Sequence, residues 1–158
     1  MRPRRKTGDI MIELSGVEHF PQPATEVWRR ISDLSFLASA IPGLASLSVT
    51  NKDHVTCKIK PALYFLTASL STTIDVHERS TPRLVLDIRS RGIGSTAAVT
   101  TTIQVEEVAE GTDISWTATV DELGGLLKPI GTGLIEASAS KVIASAWEGV
   151  RTQIAEEP

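Results

Sequence analysis

Three histidines and a single cysteine are the side chains of this 158-residue chain best suited to metal binding or nucleophilic catalysis. His19, His54 and His77 fall in separate predicted strands or turns, without the spacing of metal ligands or of a catalytic pair. We therefore expect all three at the surface. Cys57 lies at an inward position of a predicted strand, where a thiol usually acts as a small hydrophobic residue rather than as a nucleophile. Since Walker-type and dinucleotide-type glycine motifs are also missing, the sequence predicts no catalytic residue, no metal site and no bound cofactor.

The composition narrows the class of protein further. Basic and acidic residues number 16 and 19, so the chain lacks the basic excess of a nucleic-acid-binding domain. One cysteine allows no intrachain disulfide, which indicates a reducing compartment such as the cytoplasm. No apolar run approaches the roughly 18 residues of a membrane span. We expect residues 1–10, which are rich in arginine and lysine, to form a disordered extension that is either solvated or attracted to anionic lipid. Residues 11–156 are expected to form one domain.

The order of predicted elements is a strand, two short helices, a run of strands and one long helix. The first strand closes at Phe20-Pro21, and Pro23 opens a short helix with an apolar side that includes Trp28. Asp33 is expected to cap a second short helix, which carries Phe36, Leu37 and Ile41. From residue 44 to about residue 121 apolar residues alternate with Thr, Ser, Lys, Asp and Arg, and turn signals interrupt the pattern every few residues. Short connections between such strands predict an antiparallel sheet of about seven strands with one covered face.

The covered face of this sheet is expected to pack on the last helix. Its positions contain no acid, histidine or lysine in the predicted alternation. The helix is predicted over residues 126–154, with its start near Leu127 because Pro129 is tolerated only in a first turn. Gly131 and Gly133 lower helix propensity, so we interpret them as positions where another backbone or a ligand comes close. The fold class is therefore α+β.

Five segments carry a resemblance to a known family. They are FPQPATEVW at residues 20–28, AIPGLASL at 40–47, GTDISW at 111–116, GGLL at 124–127 and IGTGLI at 130–135. On these segments the chain resembles the carbon monoxide dehydrogenase CoxG family of the START/polyketide-cyclase (SRPBCC) superfamily. The resemblance covers about residues 12–150, and the Ile-Pro-Gly turn with the glycines before the last helix is its most specific part.

The resemblance implies a helix-grip fold, in which the sheet wraps around the C-terminal helix and leaves an apolar ligand cavity. The lining that we predict for this cavity consists of Phe36, Leu37, Ile59, Leu86, Trp116, Leu127, Ile130, Leu134 and Trp28. For Trp116 the alternative is that it only packs the core. A closed core, with no cavity, is the corresponding alternative for the whole domain.

One loop departs from the family pattern at the expected cavity mouth. Relatives tend to have a glycine-rich hairpin there, whereas this chain has the apolar residues Leu63, Tyr64, Phe65 and Leu66, and a neighbouring glycine-rich segment is reduced to Gly92 and Gly94. The apolar run is either packed under the short helices or exposed as a contact for a partner or a membrane interface.

These features together predict a non-catalytic carrier or accessory protein. It would hold a lipid or quinone for a carbon monoxide dehydrogenase-type molybdenum oxidoreductase, in the cytoplasm or at the inner face of the membrane. Two alternatives stay open: an enzyme of the polyketide cyclase or hydratase kind, and a maturation or docking protein with a collapsed pocket.

Overall fold

The computed structural model describes residues 12–60, 69–92, 94–125 and 131–156. The helices are α1 (Ala24–Ile31), α2 (Leu34–Ser39) and α3 (Thr132–Glu156). The strands are β1 (Ile12–Phe20), β2 (Leu44–Asn51), β3 (His54–Ile59), β4 (Leu70–Ser80), β5 (Arg83–Gly92), β6 (Ser95–Val108) and β7 (Gly111–Gly125). This element order is the one predicted from the sequence. The extension expected over residues 1–10 falls outside the described residues, and the domain boundaries therefore stay a prediction.

All seven described strands form one antiparallel sheet in the order β1-β7-β6-β5-β4-β3-β2. Strands β2 to β7 follow one another as a meander, and β1 joins its far edge by pairing with β7, from Ile12 opposite Val120 to Phe20 opposite Thr112. The two short helices connect the opposite edges of the sheet, since α1 and α2 lie between β1 and β2 in the chain. The predicted α+β helix-grip architecture is confirmed.

Capping explains the two short helices. Pro23 occupies the N-cap position of α1, and Glu26 in the first turn suits the positive end of the helix dipole. The Asp33 side chain caps α2 by accepting a hydrogen bond from the Ser35 backbone N–H at 3.0 Å. Helix α2 ends at Ser39, so Ile41 lies just beyond the helix in which the sequence pattern placed it.

The junction between the sheet and the last helix differs from the prediction. Strand β7 continues to Gly125, whereas the alternating pattern predicted its end near residue 121. The reason is a β-bulge: Ala98 faces Glu122 while the next residue, Val99, faces Val120, so the parity of the side chains changes within the strand. Helix α3 begins at Thr132 rather than near Leu127. The Gly131 carbonyl accepts the first hydrogen bonds, from the N–H groups of Leu134 and Ile135.

The glycine that admits a close helix contact is not one of those predicted. A Cβ atom added at Gly131 or Gly133 would meet no heavy atom of the described chain within 4 Å. A Cβ atom added at Gly149 would instead lie 3.1 Å from the Ala40 carbonyl oxygen. The C-terminal half of α3 therefore packs tightly against the end of α2, and the predicted close approach of another backbone at Gly131 and Gly133 is wrong.

Most of the core lies where α1, α2 and the second half of α3 meet the sheet. Fully buried side chains from all of these elements form one cluster, including Phe20, Ile31, Leu84, Ile114, Val150 and Ile154. Phe20 and Trp147 meet edge to face, with ring centroids 6.3 Å apart. A second, smaller cluster of Ile12, Val120 and Ile135 lies at the first turn of α3. The space between these two clusters is where a ligand site could form.

Candidate functional site

The face of the sheet that looks toward α3 changes from closed to accessible along its length. At the end shared with α1 and α2, Leu84, Ile103 and Ile114 are buried, with 1%, 3% and 0% of their surfaces exposed. At the other end, inward positions on neighbouring strands are only half-buried: Leu70, Ser90, Ala97 and Leu123. Because these residues share one face and differ only in their position along the strands, the accessible space lies between the sheet and the first half of α3.

Helix α3 shows the same gradient on its side. Its C-terminal half buries Trp147, Val150 and Ile154 in the main cluster. In its N-terminal half, Ile135 is buried but Ala139 and Val142, one and two turns further on, are half-buried. The helix backbone approaches β1 at several positions and the other described strands at fewer. The helix therefore closes one end of the fold with bulky side chains and presents small ones at the other end.

Three neighbouring strands place polar groups on this otherwise apolar face. Cys57, Thr72 and Ser90 lie side by side in register on β3, β4 and β5. The hydroxyls of Thr72 and Ser90 are 2.9 Å apart and share a hydrogen bond. Burial raises the pKa of the Cys57 thiol, so this group stays neutral at physiological pH.

A fourth polar group on the same face has no partner among the described residues. The Ser95 hydroxyl is buried, with 2% of the residue exposed, and makes no hydrogen bond there. Ser95 opens β6, at the same parity as Ala97 and Val99. A buried hydroxyl without a partner is unusual, and it can donate to or accept from a polar atom of a bound molecule.

The inward face also holds one carboxylate, which corrects the expectation that it contains no acid. Glu18 lies opposite Ile114, at the parity that faces α3. Its carboxylate accepts a hydrogen bond from the Trp116 indole N–H at 3.2 Å and pairs with the Arg151 guanidinium at 2.9 Å. Since both of these groups use the charge, Glu18 here holds α3 to the sheet.

A family model fits almost the whole chain. The model of CoxG, a component of carbon monoxide dehydrogenase, matches residues 16–155. The chain belongs to the CoxG family. No curated protein matches it significantly in sequence.

Solved structures place this CoxG family member in the START fold. A conserved protein from Geobacillus kaustophilus has a TM-score of 0.83 at 18% identity, with 92% of this chain and 96% of that chain covered. A START superfamily protein from Mycobacterium smegmatis has a TM-score of 0.73 at 8% identity, with 92% and 99% covered. A protein from Rhizobium leguminosarum has a TM-score of 0.70 at 13% identity, with 94% and 97% covered. At these identities the likeness concerns the fold alone.

The predicted lining residues of the CoxG domain fall in three places. Phe36, Leu86 and Trp116 are buried in the main cluster, and Trp28 and Leu37 pack against it. Ile59 is half-buried at the end of β3, and Leu134 at the start of α3 is 36% exposed. Leu127 and Ile130 lie outside the described residues, as do Leu63, Tyr64, Phe65 and Leu66.

Sequence reasoning missed several groups beside this lining. The Thr72, Ser90 and Ser95 hydroxyls lie on the face predicted to be apolar, although the alternating pattern places them there once their strands are aligned. Arg30 is 8% exposed and its guanidinium lies 4.4 Å from the centre of the Phe36 ring. A lone arginine in a short helix gives no local signal for such a contact.

Each histidine pairs with an aspartate on the neighbouring strand. His19 contacts Asp113 at 2.8 Å and His77 contacts Asp87 at 3.5 Å, while His54 contacts Asp75. The three pairs lie apart from one another, and 52% and 67% of the side chains of His19 and His77 are exposed. Within the described ranges, no three His, Cys, Asp or Glu side chains come together as metal ligands would. None of the helices described here is long and apolar enough to cross a bilayer.

Proposed function

We propose that this protein binds a hydrophobic molecule, a lipid or a quinone, between its sheet and the first half of α3. The observation that carries the proposal is the gradient of burial along one face. Inward apolar residues are sealed beside α1 and α2 but half-buried near the start of α3. A solid core would bury both ends alike, whereas a ligand cavity needs one accessible end.

The polar groups of this face support a ligand with a polar head on an apolar body. Ligand pockets are mostly apolar, with a few placed polar groups that fix the orientation of the ligand. The buried Ser95 hydroxyl and the pair formed by Thr72 and Ser90 are such groups. They suit a carbonyl or hydroxyl oxygen, which a quinone or a lipid head carries.

We propose that the protein acts as a non-catalytic accessory to a carbon monoxide dehydrogenase-type molybdenum oxidoreductase. The support is the family, whose name is that of a dehydrogenase component. The expected site of action is the cytoplasm, at the inner face of the membrane where a lipid-soluble ligand would be exchanged. Leu63, Tyr64, Phe65 and Leu66 are the proposed membrane or partner contact. Changing Tyr64 and Phe65 to serine is expected to weaken liposome or partner binding without a large fall in melting temperature.

Extraction of the purified protein tests ligand binding directly. Mass spectrometry of an organic extract, compared with a blank, should show a co-purifying prenyl quinone or lipid. Ala139→Phe, which fills the space beneath α3, should remove this ligand. Ala144→Phe is the matched control, because Ala144 is exposed on the same helix and the same substitution there should leave the ligand in place.

Three outcomes would contradict the proposal. An extract without ligand, together with capture of a molybdenum enzyme, would indicate a docking protein with a collapsed pocket. Equal ligand content in the Ala139→Phe and Ala144→Phe variants would exclude binding beneath α3. Substrate turnover that is lost in a Ser90→Ala variant would show an enzyme of the cyclase or hydratase kind instead.

A further inference from the structure

The outer face of the sheet, which looks away from α3, carries a groove with a volume of about 830 Å³. It crosses β2, β3, β4, β5 and β6, and its exposed lining residues include Lys58, Ser71 and Arg91, which are cross-strand neighbours. They alternate along their strands with Cys57, Thr72 and Ser90, whose side chains point to the inner face. The groove is therefore separate from the proposed ligand site. A twisted sheet can be concave across its strands even on its outer side, which accounts for the groove.

Positive charge in this groove is not neutralised by the protein. Lys58, Arg89 and Arg91 line it together with one acid, Glu122, in a chain whose net charge is −3. None of these three cations forms an ion pair with a described residue. Three other arginines of the described chain do so within 3.4 Å: Arg79, Arg83 and Arg151.

The acids beside the groove are already engaged. Asp75 pairs with His54, Asp87 faces His77 at 3.5 Å, and Asp121 accepts a hydrogen bond from the Thr100 hydroxyl at 2.6 Å. Glu122 is exposed and makes no such contact among the described residues. The groove thus offers three unpaired cations against one unpaired carboxylate.

We propose that this outer groove binds an extended acidic segment of a partner protein, whose carboxylates pair with Lys58, Arg89 and Arg91. Five strands spaced ~4.8 Å apart make the groove about 19 Å long, which matches roughly six residues of extended chain. Serine and threonine hydroxyls between the cations, such as Thr56 and Thr73, can bond the peptide backbone. This interaction goes beyond the proposed ligand binding and does not depend on it.

Other anionic partners fit the groove less well. Its lining contains no aromatic residue, so it lacks the stacking platforms that bind single-stranded nucleic acid. A concave surface without exposed apolar side chains does not match a bilayer, which is contacted by apolar or flat basic surfaces. The charge complementarity therefore favours an acidic peptide.

Fluorescence anisotropy with a labelled hexaglutamate peptide tests this at low and physiological salt. We expect saturable binding that weakens with salt and that falls at least about tenfold in an Arg89→Ser/Arg91→Ser double variant. Glu122→Gln should tighten binding several-fold, a gain that a misfolded variant could not give. Arg83→Ser is the matched control, since Arg83 is exposed and paired with Glu78 outside the groove.

The expected pattern is specific to the groove. A loss in Arg83→Ser equal to that in the double variant would overturn the proposal, because net charge alone would then explain the binding. Tighter, groove-dependent binding to phosphatidylserine vesicles or to single-stranded DNA than to hexaglutamate would also overturn it. The ligand extracted from the protein should be the same in the double variant and the wild type, which separates this test from that of the inner cavity.

Discussion

The indole N–H of Trp116 donates a hydrogen bond to the carboxylate of Glu18 at 3.2 Å. The same carboxylate pairs with Arg151 near the end of α3, and the Arg151 guanidinium also lies 5.1 Å from the centre of the Phe20 ring. One acidic residue on β1 therefore connects the middle of β7 to the last helix. The contact satisfies a polar atom of a nearly buried tryptophan, so its loss affects both the sheet and the helix.

Removal of the Glu18 carboxylate should destabilise the fold. Glu18→Ala leaves the Trp116 indole and the Arg151 guanidinium without their acceptor, at an expected cost of about 1–3 kcal/mol in the free energy of unfolding. Glu18→Gln keeps an acceptor oxygen and should cost less. Urea denaturation followed by tryptophan fluorescence measures both. Glu148→Gln is the control: it removes the other carboxylate paired with Arg151, which is 73% exposed, and should change stability by less than about 0.5 kcal/mol.

The gradient of burial along α3 predicts unequal effects of one substitution at two positions. Val150→Ala removes methyl groups from a site with 2% exposure and should cost about 2 kcal/mol of unfolding free energy. Val142→Ala, at a half-buried position of the same helix, should cost less than about 1 kcal/mol. Equal costs in chemical denaturation would mean that the first half of α3 is packed as tightly as the second.

The Cys57 thiol predicts a dependence of stability on alkaline pH. Burial raises the pKa of this thiol in the folded state, so the unfolded chain ionises first as the pH increases. Stability should be complete below the ordinary thiol pKa of about 8.5 and should decline as the pH rises toward the folded pKa. Urea denaturation at pH 7 and pH 10 measures this decline. A Cys57→Ala variant should lose less stability over the same range, and an identical loss would exclude the thiol as its cause.

Two glycines predict opposite responses to alanine. Gly111 has φ +128°, and a Cβ atom there would lie 2.1 Å from the Phe20 carbonyl oxygen, so Gly111→Ala should lower stability by about 1–3 kcal/mol. Gly133 lies in the first turn of α3 with open space around it. Gly133→Ala should raise stability by up to about 1 kcal/mol. Thermal denaturation measures both, and a destabilised Gly133→Ala variant would mean that the space is needed by the folded chain itself.

The seven strands and their inward positions could be predicted because burial of one face imposes a period of two on each strand. The prediction lost accuracy where that period breaks. Glu122 and Val120 both face neighbours on β6 across a bulge, which hides the end of β7 from a reading of alternation. The start of α3 was misplaced for a related reason, since Pro129 allows a first turn without requiring one there.

The sequence by itself determined the order of the elements, the parity of the sheet and the resemblance to the CoxG family. These follow from local periodicity and from short motifs. Only the tertiary structure decided that Glu18 meets Arg151, 133 positions later in the chain, and that Lys58 and Arg91 lie in one outer groove. Such contacts depend on how strands from distant parts of the chain align and twist, and the spacing within any one segment does not encode that alignment.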